Sequence, residues 1–246
     1  MQNIGSAILT RITQRERDRL KVTLLQALSG TPLFDQLIFR GASALHGVYL
    51  HERYSEDLDF FALPPLAADF VPAFQMAGML LEERPGAVPV YACRGAVHTR
   101  VELGVDVIAM HHPEEAFLVP LSATYQAING QTAPVRTYPL SALLARKLRY
   151  VMRRRYAVDF YDLWIGLEKH PECAPEMQEI VRRREGGMEG GERYQSLGAL
   201  ANLAGLEATW HEELHALMPR VPAFETVRRD LTYWLPLFEA ERKSFG

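Results

Sequence analysis

Over residues 8–28 apolar side chains recur at helical spacing (Ile8, Ile12, Leu20, Leu24, Leu25, Leu28), and Gly30 with Pro32 closes the pattern, so a helix leads the chain. Leu37-Ile38-Phe39 is a short apolar run that predicts a buried strand, followed by a small-residue turn at Gly41-Ala42-Ser43 and a second helix over residues 44–50. "RYSEDLDFF", Arg53 to Phe61, alternates as a strand does, and Pro64 with Pro65 stops it. A helix over about residues 67–81 and β-segments at 88–93 and 97–110 follow. From Pro139 the period changes to helical throughout, at 141–155, 158–169, 175–184, 192–218 and 224–242. The expectation is an α+β chain, with a mixed sheet and helices in residues 1–138 and a helical domain in 139–246. "EGGMEGG", Glu185 to Gly191, reads as a loop within the helical part.

Composition narrows this picture without changing it. With 246 residues, 48% hydrophobic, the chain has ample material for a core. No apolar run approaches the roughly 18 residues that span a bilayer, and Arg11, Arg15, Glu16 and Arg17 interrupt any signal-peptide block. A cytoplasmic protein with no membrane partner is expected. Cys93 and Cys173 stand far apart and read as reduced packing residues. A net charge of −3 excludes a wholly basic nucleic-acid-binding domain, but Arg146, Lys147, Arg149, Arg153, Arg154 and Arg155 concentrate positive charge in one short segment.

Candidate chemistry begins with Asp57 and Asp59, which a strand would project from one face while Leu58 and Phe60 enter the core. In "RVELGVDVIAM" the same alternation sets Asp106 opposite Val101, Leu103, Val105 and Val107. Carboxylates from two strands suit a pair of Mg²⁺ or Mn²⁺ ions about 3.5 to 4 Å apart, and their hard oxygens do not suit zinc. The bland alternative is the solvated face of an antiparallel sheet, which any lone D-x-D fits. Upstream, "FRGASALHGVYL" places a strand, a small-residue turn and a helix start in succession, so backbone N–H groups and the Ser43 hydroxyl can hold a phosphate.

On these motifs the sequence resembles the AbiEii/AbiGii-type nucleotidyltransferase-like toxin family, including the MenT toxins, within the DNA polymerase β-like nucleotidyltransferase superfamily. The family's G-G-[ST]-A-L and R-[FY]-S-x-D-L-D-[FL] elements stand here as Gly41-Ala42-Ser43-Ala44-Leu45 and Arg53-Tyr54-Ser55-Glu56-Asp57-Leu58-Asp59-Phe60. The family's later lysine helix and R-D-x-x-D-L helix resemble "LLARKLRYVMRRRYAVDFYDLW", matching Lys147, Asp159 and Asp162. Ala42 replaces the second motif glycine and Val158 the usual arginine, with Arg154 and Arg155 nearby to supply a guanidinium.

The resemblance implies a polymerase β-like core followed by a helical domain that carries the second half of the active site. It implies a metal-dependent transferase moving a nucleoside monophosphate from an NTP to an acceptor such as RNA or tRNA, as the toxin of a toxin–antitoxin or phage-defence pair with a cognate antitoxin. Asp57, Asp59 and Asp106 would hold Mg²⁺ or Mn²⁺. Gly41, Ala42, Ser43, Arg53, Ser55, Lys147 and Asp162 would bind the nucleotide, with Lys147 and Asp159 counted among the catalytic groups. In the MenT branch the serine matching Ser55 can be phosphorylated.

From spacing alone, Lys147 lies at the edge of a Leu144, Leu148, Val151 and Met152 stripe, where a lysine can bury its stem and present its ammonium to a phosphate. Asp159 and Asp162, at i and i+3, could orient Lys147, bind a ribose or base, activate an acceptor, or close a salt-bridged helical hairpin. His46 and His51 flank the first motif, and His111-His112 reads as a loop pair. Two other classes stay open: a non-catalytic RNA- or partner-binding relative, and a nucleotidyltransferase acting on a protein or small molecule.

Overall fold

A computed structural model describes residues 4–62, 71–84, 90–95, 102–109, 120–127, 129–186 and 194–239; for several stretches, 79–84, 90–95 and 102–109 among them, it fixes the backbone alone. The chain divides into two compact units, Met1–Pro139 and Leu140–Gly246.

In the first unit the leading helix α1 (Ile4–Ser29) packs on strand β7 (Thr132–Thr137), with Val22, Leu25 and Leu28 buried and Gln26 donating to the Thr132 carbonyl at 2.8 Å. A single helical turn α2 (Leu33–Gln36) feeds β1 (Leu37–Arg40), which is buried along its whole length. Among the described residues the sheet has seven strands, in the order β3-β4-β5-β2-β1-β7-β6. Its centre is β2 (Leu58–Ala62), antiparallel to β1 and parallel to β5 (Glu102–Ala109). The outer strands β3 (Met79–Arg84) and β4 (Val90–Gly95) continue from β5 as antiparallel neighbours. At the other side β7 runs parallel to β1 and pairs antiparallel with β6 (Leu121–Gln126). Phe39, Phe60 and Tyr125 fill this core, with ring centroids 5.4 and 5.9 Å from Phe39.

Several expectations shift. The helix expected over 67–81 is only α4 (Val71–Met76) among the described residues, because Gly78 turns the chain at φ 66° and Met79 already opens β3. The strand expected from Arg53 starts only at Leu58. The β6–β7 hairpin was not anticipated, although Asn129-Gly130 and the alternating burial of 132–137 are its sequence signals. His111-His112 and most of Glu185–Gly191 lie outside the described residues.

The second unit is helical: α5 (Leu140–Arg153), α6 (Ala157–Lys169), α7 (Ala174–Gly186), α8 (Ser196–Ala204), α9 (Trp210–Leu214) and α10 (Phe224–Leu237). The helix expected over 192–218 breaks into α8 and α9, since Leu206 and Thr209 close turns on Leu203 and Leu206. Gly166 lets α6 approach α5, where an added Cβ would stand 2.4 Å from a Leu144 methyl. The α6 N-terminus is capped from α9, with the Ala157 amide donating to Glu213 Oε2 at 2.8 Å.

Candidate active site

Register explains why β2 carries chemistry. Asp59 is paired with Arg40 of β1 on one side and with Asp106 of β5 on the other, so one cation and two acids occupy adjacent positions across three strands. The Asp106 side chain lies outside those described. Leu58 and Phe60 are buried on either side of the half-buried Asp59, as alternation requires. Asp57 is exposed and sits just ahead of the strand, so it shares the site by proximity along the chain rather than by strand alternation.

Gly41 is what brings the backbone to these acids. It directly follows β1 at φ +75° and opens a helical run made of α3 (Gly41–Ala44) and a π-helix (Leu45–Leu50). An added Cβ at Gly41 would stand 2.0 Å from Asp59 Oδ2, so only glycine lets the turn lie against that carboxylate. The neighbouring Ala42 has no positive φ, which explains why alanine is tolerated where the motif has its second glycine.

Arg40, which sequence reasoning missed, lies with its guanidinium 4.5 Å from the Phe61 ring centroid and its Nη2 3.8 Å from Asp59 Oδ1. That distance exceeds the 2.7–2.9 Å of a charge-assisted hydrogen bond, so Arg40 acts on Asp59 through charge at longer range. Arg40 Nε is buried without a hydrogen-bond partner. The signal was a charged residue at the end of an apolar run.

A second group that the sequence hid links α1 to the acidic loop. Lys21 is only 1% exposed; its ammonium donates to the Ser55 carbonyl and, at 2.7 Å, to Ser55 Oγ. Ser43 Oγ lies 2.6 Å from Ser55 Oγ and donates to the Asp57 carbonyl. Each hydroxyl has one proton, so the order is fixed: Lys21 donates to Ser55, Ser55 to Ser43, and Ser43 to Asp57. Both hydroxyl protons are thereby committed within the protein, and Ser43 would have to release Asp57 before donating to a phosphate.

Burial pushes the Lys21 ammonium down from 10.5 to about 8, outweighing the attraction of Asp18 and Asp57. Between these values the unfolded chain holds a proton that the folded chain has released, so stability rises with pH through this window. The burial penalty is fully present below pH 8. At about 1.4 kcal/mol per pH unit the interval from 8 to 10.5 is worth about 3 kcal/mol. Urea denaturation should show the parent gaining about that much over Lys21→Met across this range; a constant difference between the two would refute it.

Beside Ser55 a cavity of about 230 Å³ is lined by Asp18, His46, Arg53, Ser55 and Tyr125. Tyr125 donates to Asp18 Oδ1 at 2.8 Å, and burial with that carboxylate raises the phenol well above its ordinary range. Arg53, itself buried, donates to the Tyr54 carbonyl at 2.7 Å.

In the helical unit Lys147 is not an edge lysine. It is 5% exposed, and its ammonium lies 2.7 Å from both Asp159 Oδ1 and Asp162 Oδ2, two carboxylates almost wholly buried. Arg154 completes the cluster with Nε 2.6 Å from Asp159 Oδ2 and its guanidinium between Tyr150 and Tyr156. Of the two nearby arginines, Arg154 is the one that meets Asp159. Two cations meet two anions, which is the arrangement a buried ion cluster needs.

Asp57 and Asp59 supply hard oxygen donors of the kind that suit a divalent cation, and the Asp59 side chain keeps 25% of its surface exposed. Among the described side chains no three His, Cys, Asp or Glu converge as a metal cage.

Comparison with known proteins places this geometry. Over about 91–92% of its length the chain matches three solved structures. One is a Helicobacter pylori protein provisionally described as a nucleotidyltransferase, with 19% identity, 93% of that chain covered and a TM-score of 0.60. JHP933, also from Helicobacter pylori, matches with 17% identity, 91% covered and a TM-score of 0.54. MenT4, a nucleotidyltransferase toxin of Mycobacterium tuberculosis, matches with 17% identity, 84% covered and a TM-score of 0.62. These likenesses establish the polymerase β-like fold. No curated protein matches the chain. The model of the family described as nucleotidyl transferase AbiEii toxin, type IV toxin–antitoxin system, matches residues 23–230, a span that includes Gly41, Asp59, Lys147 and Asp162, and the chain therefore belongs to the AbiEii family of nucleotidyltransferase toxins.

Proposed function

We propose that the enzyme transfers a nucleoside monophosphate from an NTP to an acceptor hydroxyl and releases pyrophosphate, with Asp57, Asp59 and Asp106 holding Mg²⁺ or Mn²⁺. The observation that carries this reading is the Gly41 turn pressed against Asp59, with the Asp106 position in register beside it. When bound, such a cation neutralises triphosphate charge and makes an acceptor hydroxyl easier to deprotonate. Backbone N–H groups of Gly41 and Ala42 bind phosphate oxygens, and Arg40 restrains Asp59. Arg53 and Ser55 contribute from the wall of the 230 Å³ cavity. Lys147, Asp159 and Asp162 of the helical unit are assigned to the nucleotide on the strength of the motif they match, with the ammonium held by both carboxylates. Chemistry of this class rests on placement and electrostatics, which a rigid polar scaffold supplies.

The acceptor is RNA, with tRNA the leading candidate, and the basic segment around Arg149 and Arg153 supports that reading. The type IV toxin–antitoxin description of the family supports a cognate antitoxin, and a role in phage defence and action in the cytoplasm complete the reading. A second reading, a protein or small-molecule acceptor, is favoured by one observation: Arg154 and Arg155 already bond to Asp159 and Asn202 within the helical unit.

Incubating the protein with each labelled NTP, Mg²⁺ and total RNA tests this. Label on RNA is expected, and Asp57→Ala or Asp59→Ala should lower transfer by about 10²- to 10³-fold. Label on protein or a small molecule moves the acceptor to the second reading. Transfer by Asp57→Ala at the parental rate removes the assigned site, and no label under any condition leaves a binding module.

A further inference from the structure

We propose that Lys21 is a positioning residue for Asp57, acting through the Ser55 and Ser43 hydroxyls to hold the segment that presents this acid. The inference rests on the metal-binding reading of Asp57 given above.

Three observations carry it. Lys21 lies on α1 among Val22, Leu24 and Leu25, where an apolar side chain would pack without desolvating a charge. Its ammonium makes both of its hydrogen bonds to one residue, Ser55, 34 positions away in sequence. From Ser55 the donor order runs through Ser43 to the carbonyl of Asp57 itself. A chain of buried, directionally ordered hydrogen bonds therefore begins at a cation and ends on the backbone of a proposed metal ligand. Arg17 adds a more exposed tether from the same helix, 3.4 Å from Glu56. Among the described residues the segment between Arg53 and Asp57 pairs with no strand, since β2 starts at Leu58, so this chain of hydrogen bonds holds it where sheet pairing does not. Burial depresses the Lys21 ammonium to about 8, which leaves it predominantly charged near neutrality and able to set that donor order.

The outer-shell groups of metal sites typically alter metal affinity by 10- to 100-fold, and a similar effect is expected here. Mn²⁺ binding to the full chain without nucleotide, followed by electron paramagnetic resonance, reads the effect apart from activity. Lys21→Met should bind Mn²⁺ about tenfold more weakly, Ser43→Ala should also weaken binding, and the double variant should be no weaker than Lys21→Met, because both break one chain. Lys21→Arg, which keeps donors for Ser55, should recover part of the loss. Parental affinity in Lys21→Met, or losses that simply add in the double variant, would overturn the positioning role while leaving the metal site standing. If Lys21→Met does not fold, Ser43→Ala decides alone, and parental Mn²⁺ affinity in it overturns the proposal. A parent protein that binds no Mn²⁺ overturns the metal reading, and the positioning role falls with it.

Discussion

Replacing Lys147 with methionine is expected to lower the stability of the protein by about 3–5 kcal/mol, an effect on folding and not on nucleotide binding alone. Asp159 and Asp162 are 1% and 0% exposed, and the ammonium that neutralises both lies 2.7 Å from each. Methionine fills the space but leaves buried carboxylates short of one positive charge. Breaking a buried ion pair from one side costs about 3–5 kcal/mol, against a whole-domain stability of about 5–15 kcal/mol. Arg154 remains on Asp159 after the change. Lys147→Met with Asp162→Asn should recover a substantial part of the stability, because the amide removes one of the two negative charges that the ammonium neutralised. Urea denaturation followed by far-UV circular dichroism measures both. A Lys147→Met protein within about 0.5 kcal/mol of the parent would show that the cluster contributes little, as surface pairs do.

The fate of Lys147 shows what a sequence pattern can and cannot carry. Periodicity located α5 and α6 to within one or two residues at most of their ends and set Asp159 and Asp162 on one face. It could not distinguish a lysine at the edge of a stripe from one drawn inside by two acids on the next helix, because burial depends on how the helices cross. The close approach at Gly166 sets that crossing here. In the sheet, the alternation of Leu58, Asp59 and Phe60 was legible because β2 is buried on the face opposite its acid. Its neighbours were not legible, since Arg40 meets Asp59 through strand pairing, and Lys21 meets Ser55 across a separation of 34 residues. Both missed groups are cations in apolar runs, where a charge conflicts with the local pattern; such conflicts tend to mark functional positions. The extended start assumed at Arg53 failed for a related reason. The segment before Leu58 bonds to α1 and Ser43 instead of to a strand, and no local alternation reveals that exchange.

Gly41→Ala should abolish nucleotidyl transfer with a smaller effect on folding, separating the turn's chemistry from its stability. The new methyl meets two obstacles at once. At φ +75° an L-residue is strained by about 1–2 kcal/mol, and its Cβ would lie 2.0 Å from Asp59 Oδ2 and 2.8 Å from Cγ. These atoms belong to a short side chain on the central strand, whose backbone is held on both sides by β1 and β5, so the carboxylate can yield only by rotating away. Rotation takes Asp59 from the turn and alters its distance from Arg40. Transfer should fall by at least about 10²-fold, since misplacing a group by about 1 Å costs that much in reactions governed by positioning. Stability should fall by about 1–3 kcal/mol, leaving a folded protein. Ala42→Gly is the matched control, because position 42 has no positive φ and the change restores the family's second glycine; its transfer should stay within a few-fold of the parent. Labelled-NTP transfer and urea denaturation on the same preparations report the two effects separately. If Gly41→Ala transfers like the parent, the contact between the turn and Asp59 is packing alone, and the phosphate-binding role assigned to residues 41–43 falls with it.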